Sequence, residues 1–243
     1  MHTFVDVLHW LTTSSHWSGS GGIPIRVGEH LELSVVSVGL ACAVAIPVGL
    51  VVGHLRRYEF LAVSFANLGR AVPSFAILVL AYLLFLQLWP SLAFGFGPTV
   101  VALFLLSVPP ILTNTYVGVQ SVDADTVEAA RGMGMTERDV LLRLELPLAA
   151  PLIMAGVRTG AVTAVATATL AALIGGGGLG RFIIDGFHTN DVAMVVSGAV
   201  LVAILSILTE GAFALVERAV RPRTSSRQTG GTLAAGRRSR AVA

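Results

Sequence analysis

Five long apolar runs constrain this chain more than any other feature of its sequence. Each approaches the ~20 residues that a helix needs to cross the hydrocarbon core of a bilayer. Backbone polar groups in lipid must be satisfied internally, and the two-residue alternation of a membrane barrel is absent, so the runs predict α-helices. The predicted spans are 33–53, 71–89 with a weaker apolar lead-in at 61–69, 99–119 with Pro109 and Pro110 inside it, 148–174 and 192–216.

The composition agrees with a membrane protein and excludes several other classes. Only 12% of the 243 residues are charged and 54% are hydrophobic, whereas soluble domains carry roughly 25% charged residues. That excludes a soluble enzyme and a disordered protein. The sequence also contains no lysine, since all sixteen basic residues are arginines. A P-loop and a Schiff-base active site both need a lysine, so neither can be built.

The distribution of the arginines predicts the orientation of the chain. Twelve of the sixteen fall on one side of the predicted spans: Arg56, Arg57, Arg131, Arg138, Arg143, Arg218, Arg221, Arg223, Arg227, Arg237, Arg238 and Arg240. Basic residues concentrate in cytoplasmic loops, so that side is predicted to be the cytoplasm. With five spans, the amino terminus then lies outside and the carboxyl terminus inside.

Three segments are expected on this basis. Residues 1–30 form an extracytoplasmic segment, in which Phe4, Leu8 and Leu11 recur at helical spacing and favour a short interfacial helix over a frayed tail. Residues 31–218 form the transmembrane domain. Residues 219–243 are rich in Ser, Thr, Gly and Arg and predict a basic, disordered cytoplasmic tail.

The cytoplasmic connection at 121–147 has a patterned sequence. Asp123 is suited to cap a short helix over 124–133, and Gly134 suits a left-handed helix end. Thr136 and Asp139 resemble a capping box for a second short helix, after which Pro147 restarts the chain into the fourth span. Composition alone leaves open an ordinary amphipathic loop that covers the end of the bundle.

The spacing within this connection favours a more specific interpretation. It resembles the signature of permease subunits of ATP-binding-cassette importers, with the only departure a leucine where isoleucine is common. The resemblance implies an all-α membrane protein with five transmembrane helices of the type I importer permease fold. It also implies that a coupling helix pair between spans three and four inserts into a groove of an ATPase subunit. The matching residues are Glu128, Ala129, Ala130, Gly134, Leu144, Leu146 and Pro147.

Further stretches at 71–76, 109–119, 156–160 and 167–180 resemble the branch that carries glycine betaine, carnitine, choline and proline betaine. The resemblance implies a bacterial cytoplasmic membrane protein that works with two ATPase subunits, a second permease subunit and an extracytoplasmic solute-binding protein. ATP and Mg²⁺ would then bind to the ATPase, with no cofactor in this chain and no nucleic-acid partner. No aromatic cage for a quaternary ammonium is evident, so such selection is expected in the binding protein.

The glycine run after the fourth span has two interpretations. Gly175, Gly177 and Gly180 formally match the GxGxxG pattern of a dinucleotide site. That site requires a preceding strand, and here a membrane helix precedes it. A flexible break at the outer side of the membrane is favoured, and hinge or gate function at Gly175, Gly177, Gly178 and Gly180 is a hypothesis built on it.

Charged and polar residues inside the spans are the remaining candidates. Arg70, Arg158 and Glu210 are predicted at similar depths, ~10–15 Å from the cytoplasmic side. Because charges facing lipid are costly, Glu210 is predicted to pair with Arg158 or Arg70, unless the arginines extend to the headgroups. Ser74, Thr113, Asn114, Thr163 and Thr167 could line a polar pathway or bond between helices.

Three classes of function remain. The first is the membrane subunit of an osmoprotectant importer, and the second is the same fold importing another small solute such as an amino acid. The third, a membrane-embedded enzyme, lacks any acid–base pair, nucleophile–base pair or metal-ligand set at recognisable spacing. The six histidines are scattered and predict no metal site. The chain is therefore predicted not to be an enzyme.

Overall fold

The computed structural model describes residues 2–56, 60, 64 and 72–220, and every regular element in these residues is helical. Short 3₁₀ turns lie at Ser14–Trp17, Pro90–Leu92 and Ala168–Ile174, and a π-helical stretch covers Val140–Glu145. The α-helices are α1 (His2–Thr12), α2 (Ile23–Leu55), α3 (Ser74–Leu88), α4 (Phe96–Gln120), α5 (Ala124–Gly132), α6 (Glu137–Asp139), α7 (Leu146–Thr167), α8 (Gly180–Thr189) and α9 (Val192–Val220).

Four helical segments of the described residues are long and apolar enough to cross a membrane. They are Ile23–Leu55, Phe96–Gln120, Glu137–Ile174 and Val192–Glu217, and they correspond to the first, third, fourth and fifth predicted spans. The second predicted span contains α3, which is apolar but only 15 residues long. Most of its lead-in, and Arg70 with it, lies outside the described residues.

Helix α4 is the centre of the bundle, with α2 and α7 packed against it. In the most apolar stretch of α4, 61% of the residues are buried, whereas in that of α9 only 17% are. Two glycine pairs at four-residue spacing permit these close crossings, as is common between membrane helices. A Cβ at Gly49 would lie 2.7 Å from Thr115 Cβ, and one at Gly156 would lie 2.7 Å from Asn114 Cβ. Gly53 and Gly160 occupy the matching positions one turn further along each helix.

Pro147 lies within the first turn of α7, as predicted for the start of the fourth span. The residues before it are also helical, so α6, the π-helical stretch and α7 form one continuous helical segment. A proline in the first turn of a helix lacks only an N–H that would be free there, and the π-helical stretch shifts the hydrogen-bond register just before it. Likewise, α4 runs without a break through Pro109 and Pro110.

The amino-terminal segment forms the predicted short helix, α1. Trp10 of α1 is buried and packs edge-on against Phe182 of α8, with the ring centroids 5.3 Å apart. Phe4 and Leu8 remain exposed on the other side of α1. One face of the helix therefore packs on the bundle, while its position at the membrane interface stays a prediction.

Candidate functional site

The segment from 124 to 145, here called the plug, projects from the cytoplasmic end predicted for the bundle. Asp123 caps α5, because its Oδ1 accepts a 2.9 Å hydrogen bond from the Thr126 N–H. This bond lowers the pKa of the exposed Asp123 carboxyl below its usual range. Gly134 has φ of 89°, and Thr136 Oγ1 accepts from the Asp139 N–H at 3.3 Å. The predicted caps are confirmed.

The plug has a small apolar core of its own. Val122, Val127, Ala130 and Val140 are buried together, and Leu144 packs against them. Leu146 instead packs against a neighbouring cluster that joins α4 to α7. Ala130 faces this core, whereas Ala129 is exposed, so of the two alanines only Ala129 is available for contact with a partner.

The rest of the signature lies on the plug surface. Glu128, Ala129 and Gly134 are all exposed. Between them Met133 leaves 79% of its surface exposed, although it is a large apolar residue. Sequence reasoning missed Met133, yet a methionine between two glycines in a polar loop was a readable signal. The exposed residues of the signature, together with Met133, therefore present a carboxylate, two small residues and an apolar side chain on this part of the plug.

A charged network connects the plug to α2. The His54 Nδ1 lies 2.6 Å from Glu145 Oε2, and its Nε2 lies 3.2 Å from Glu137 Oε2. Arg131 donates to both oxygens of Glu137 at 2.9 and 2.8 Å, and these bonds raise the pKa of the Arg131 guanidinium. None of these contacts was predicted, because they join residues of separate helices.

At the opposite end of α7 the glycine run at 175–180, here called the glycine turn, breaks the helix as predicted. Gly175 and Gly178 have φ of 80° and 88°, which favours glycine. The Gly95 N–H also donates to the Ile174 carbonyl at 3.0 Å. A 3₁₀ helix precedes the turn where a dinucleotide site needs a strand, so that alternative is excluded for this segment.

Two side chains of α2 bind the glycine turn. Glu29 Oε2 accepts a 2.7 Å bond from the Gly178 N–H and also contacts Arg26 Nη1 at 2.9 Å. His30 is fully buried, with its Nε2 2.8 Å from the Val165 carbonyl and its Nδ1 accepting from the Leu179 N–H at 3.3 Å. The turn is therefore held in place by hydrogen bonds instead of forming a loose break.

A groove of about 430 Å³ opens between α3, α4 and α7. Ser74 begins one wall, and threonines 159, 163 and 167 follow one face of α7 along another. Each threonine hydroxyl donates to a carbonyl four residues earlier, at 2.6–3.0 Å. Among the residues that the structure describes, those lining the groove are all uncharged: Val72, Pro73, Ser74, Leu106, Pro109, Pro110, Thr159, Thr163 and Thr167.

Arg158, Glu210 and Asn114 do not line this groove. Arg158 Nε lies 3.4 Å from Glu210 Oε1, so the predicted pairing is present in the structure. A closer partner, Glu217, contacts Arg158 Nη1 at 2.9 Å and was not anticipated. Asn114 donates to the Pro110 carbonyl of its own helix at 2.8 Å. Arg158 therefore joins α7 to α9, whereas Asn114 is bonded within α4.

Comparison with known proteins identifies relatives over most of the chain. The family model described as binding-protein-dependent transport system inner membrane component matches residues 45–222. A glycine betaine/carnitine/choline transport system permease protein of Bacillus subtilis is 38% identical over 206 residues, which cover 85% of this chain and 92% of that protein. A carnitine transport permease protein of Listeria monocytogenes is 36% identical, covering 82% of this chain and 88% of that protein.

Solved structures show the same fold at lower identity. The inward-facing methionine ABC transporter matches with a TM-score of 0.72 and 22% identity, over 81% of this chain and 95% of that chain. An amino acid ABC transporter matches with a TM-score of 0.64 and 21% identity, over 80% of this chain and 92% of that chain. The predicted type I importer permease fold is thereby confirmed.

Proposed function

This chain belongs to the family of binding-protein-dependent transport system inner membrane components, and from that premise we propose that it imports a quaternary-amine osmoprotectant. Glycine betaine, carnitine and choline are the solutes in the names of relatives at 33–38% identity, and a relative at 31% identity is named as an osmoprotectant import permease. The described lining of the groove carries no charge, which supports this substrate class, because a quaternary ammonium has no N–H that would need a buried carboxylate as hydrogen-bond acceptor.

The structure of the plug is the observation that supports energy coupling to a separate ATPase subunit. It holds its own shape through an apolar core and two caps, while it exposes Glu128, Ala129, Met133 and Gly134. A rigid projection with a central apolar residue and a flanking carboxylate suits a groove in a partner protein. We assign that groove to an ATP-binding-cassette ATPase, which binds ATP and Mg²⁺ and supplies the energy for transport.

Docking can be tested by replacing exposed residues of the plug. Glu128→Arg and Met133→Asp should abolish uptake and release the ATPase on copurification, while the protein still inserts in the membrane. Asp125→Asn is the matched control, because Asp125 is an exposed carboxylate in the first turn of the same helix. Normal copurification and uptake in both docking variants would contradict the assignment.

The groove beside α7 is the proposed half-pathway. It is open on one side, and its described lining combines hydroxyl and apolar side chains without a charge, so a second permease subunit, either this chain or a paralogue, would complete it. Thr163→Val removes a hydroxyl while keeping the shape of the side chain, and it should slow uptake. Thr209→Val is the control, because Thr209 on α9 also donates to the carbonyl four residues earlier.

The substrate class is tested by reconstitution. The permease, its ATPase and its binding protein should accumulate labelled glycine betaine, carnitine, choline or proline betaine in proteoliposomes when ATP is supplied. Accumulation of an amino acid such as methionine, with no quaternary amine accumulated, would replace the proposal with the alternative solute class. Uptake without the ATPase would contradict the proposal that a separate ATPase subunit supplies the energy for transport.

The proposed topology follows from the arginine distribution. The plug and the carboxyl-terminal tail lie in the cytoplasm, and α1 and the glycine turn lie outside, where a solute-binding protein delivers the solute. A cysteine introduced at Asp125 should react with a membrane-impermeant thiol reagent only after the cytoplasmic face is opened. Labelling of that cysteine in intact cells would reverse the orientation.

A further inference from the structure

A second cavity opens between α2, α7 and α9, apart from the groove that the threonines line. Its volume is about 420 Å³, and ligand pockets typically measure roughly 300–1,000 Å³. Val35 on its wall is 68% exposed, and a methyl added at Gly39 would meet no atom within 4 Å. The cavity, here called the α2–α9 cleft, is therefore open to the surface of the helix bundle.

The α2–α9 cleft and the groove lie on opposite sides of α7. Thr159 and Thr163 line the groove, whereas Ala161 and Val165 line the cleft. A step of two residues turns the side chain by about 200° around an α-helix. A second permease subunit that completes the groove is therefore on the far side of α7 from the cleft. The three helices of the cleft are long and apolar enough to cross a membrane, so the mouth of the cleft faces lipid.

The chemistry of the α2–α9 cleft suits an apolar occupant. Its described lining consists of apolar residues and two hydroxyl groups, and each hydroxyl already donates to a carbonyl of its own helix. Arg158 and Glu210 are near the cleft in sequence, but they pair with each other and do not line it. The described lining therefore offers no free hydroxyl donor. An acyl chain needs none and gains contacts with the apolar walls.

The length of the α2–α9 cleft matches one acyl chain. Ile23 of α2 and Val202 of α9 are buried in one apolar cluster, so the two helices meet above the cleft. Along α2 the lining runs from Leu31 to Gly39, a rise of about 12 Å. One leaflet contributes about 15 Å of the ~30 Å hydrocarbon core. A single chain that lies along α2 can therefore fill the cleft.

We propose that the α2–α9 cleft binds one acyl chain of a membrane phospholipid, as a structural ligand that joins α9 to α2. The proposal rests on the proposed half-pathway, which places the second subunit on the other side of α7. Arg56 and Val72, which flank a largely undescribed stretch, lie at the opposite end of α2 and in the groove. In the most apolar stretch of α9 only 17% of the residues are buried, so the bound chain adds packing where the protein supplies little.

Native mass spectrometry of the full-length permease tests the binding directly. The protein is reconstituted in vesicles of dioleoyl phosphatidylethanolamine and dioleoyl phosphatidylglycerol and then released with a mild detergent. The wild type should retain one phospholipid per chain. Gly39→Phe places a ring in the cleft and should lower the retained fraction about tenfold. Gly211→Phe is the matched control, because Gly211 also has open space around it and does not line the cleft. Equal retention in Gly39→Phe and the wild type would overturn the proposal.

A second pair of variants keeps the test decisive if Gly39→Phe does not fold. Val35→Trp narrows the mouth of the cleft from an exposed position. Val36→Trp changes the next residue, which is 37% exposed and is not part of the lining. Retention of the phospholipid should fall in Val35→Trp alone. An equal fall in both variants would indicate a general loss of lipid contact and would overturn a specific site.

The acyl chain should decide binding, and the headgroup should not. Oleoyl lysophosphatidylcholine, which has one long chain, should displace the retained phospholipid. Added to delipidated protein, it should raise the unfolding temperature of the wild type but not that of Gly39→Phe. Dihexanoyl phosphatidylcholine, whose chains are too short to fill the cleft, should do neither. Equal displacement by the short-chain lipid would show that the headgroup is bound and would overturn the proposal.

Cross-linking distinguishes lipid from a second copy of the chain. Val35→Cys is combined with Cys42→Ser, so that the new thiol is the only one in the chain. Oxidation in the membrane should produce no disulfide between copies. A disulfide would place a second permease on the cleft and would overturn both this proposal and the half-pathway. Slowed uptake in Thr163→Val without any retained phospholipid in the wild type would overturn the lipid site alone.

Discussion

The two ends of α2 are bound to the segments that flank α7, but by different chemistry. At the end proposed to lie outside, here called the outer end, Glu29 and His30 bind backbone N–H groups of Gly178 and Leu179. At the opposite end, here called the inner end, His54 contacts the carboxylates of Glu145 and Glu137. One helix of 33 residues thus carries a backbone-directed contact at its start and a charged side-chain contact at its end.

The difference suggests different functions for the two ends. Backbone donors have fixed directions, so the outer contact holds one shape of the glycine turn. The buried His30 uses one ring nitrogen as acceptor and the other against a carbonyl, which matches the neutral ring. Ionic side-chain contacts depend on pH and salt and can form and break as a partner moves. The outer end therefore suits a gate with a defined closed state, and the inner end suits a moving joint.

Substitution in the glycine turn should have the largest effect. In Gly180→Ala the new methyl would collide with the Thr169 carbonyl oxygen and lie 2.8 Å from Thr169 Cα. The backbone of Thr169 cannot rotate away from the new methyl as a side chain could. We therefore expect a loss of about 3 kcal/mol in stability, measured as folded yield and unfolding temperature in detergent. Gly211→Ala is the control, because no atom lies within 4 Å of its added methyl.

Gly177→Ala tests the same turn without a collision against the backbone. Its methyl would meet the carboxylate of Glu29, a side chain that can move. Stability should fall less than in Gly180→Ala, while uptake falls because the Glu29 contact with the turn is disturbed. Normal uptake in Gly177→Ala would contradict a gate function for this turn.

Removal of the outer contact should have the next largest effect. Glu29→Ala leaves the Gly178 N–H without its 2.7 Å acceptor, and we expect a loss of about 2 kcal/mol. Glu29→Gln keeps an acceptor oxygen and should lose less. The measurement is amide exchange at Gly178 together with the unfolding temperature. Equal protection of Gly178 in Glu29→Ala and in the wild type would show that the turn holds its shape unaided.

A contact between α7 and α9 tests whether α7 is held only at its two ends. Glu217→Gln should cost about 1.5 kcal/mol, because Glu217 is 11% exposed and lies 2.9 Å from Arg158. Glu210→Gln should cost less, since that carboxylate is 50% exposed and 3.4 Å away. Unfolding temperatures of the two variants check the order. The reverse order would mean that Glu210 is the principal partner of Arg158.

The smallest effect is expected at the end of α5 in the plug. Gly134→Ala places a side chain at φ of 89°, with open space around it, so backbone strain alone should cost about 1 kcal/mol. Gly132→Ala is the control, because it has no positive φ and no close neighbour. Amide exchange of the plug measures both. Identical exchange in the two variants would show that the left-handed turn is not required for the plug to form.

Local features of this molecule were readable from the sequence. Four predicted spans, the Asp123 cap, the left-handed Gly134 and the Thr136 cap all occur where they were expected. Each depends on residues within one or two helical turns, or on apolar length, so the signal and the structure share the same stretch of chain. Pro147 also lies in the first turn of α7, as predicted. That this helix continues from α6 through a π-helical stretch could not be predicted, because the hydrogen-bond register is not reported by residue identity.

Contacts between helices were decided by the tertiary structure. Glu29 and Gly178 are 149 residues apart, His54 and Glu145 are 91 apart, and Arg158 and Glu217 are 59 apart. By itself the sequence determined that apolar helices form, where the plug folds and which glycines can turn. Which side chains meet depends on the rotation and crossing of each helix, and close packing at Gly49 and Gly156 sets these against α4. That packing places His54 beside the plug and Glu29 beside the glycine turn, a result that no single stretch of sequence specifies.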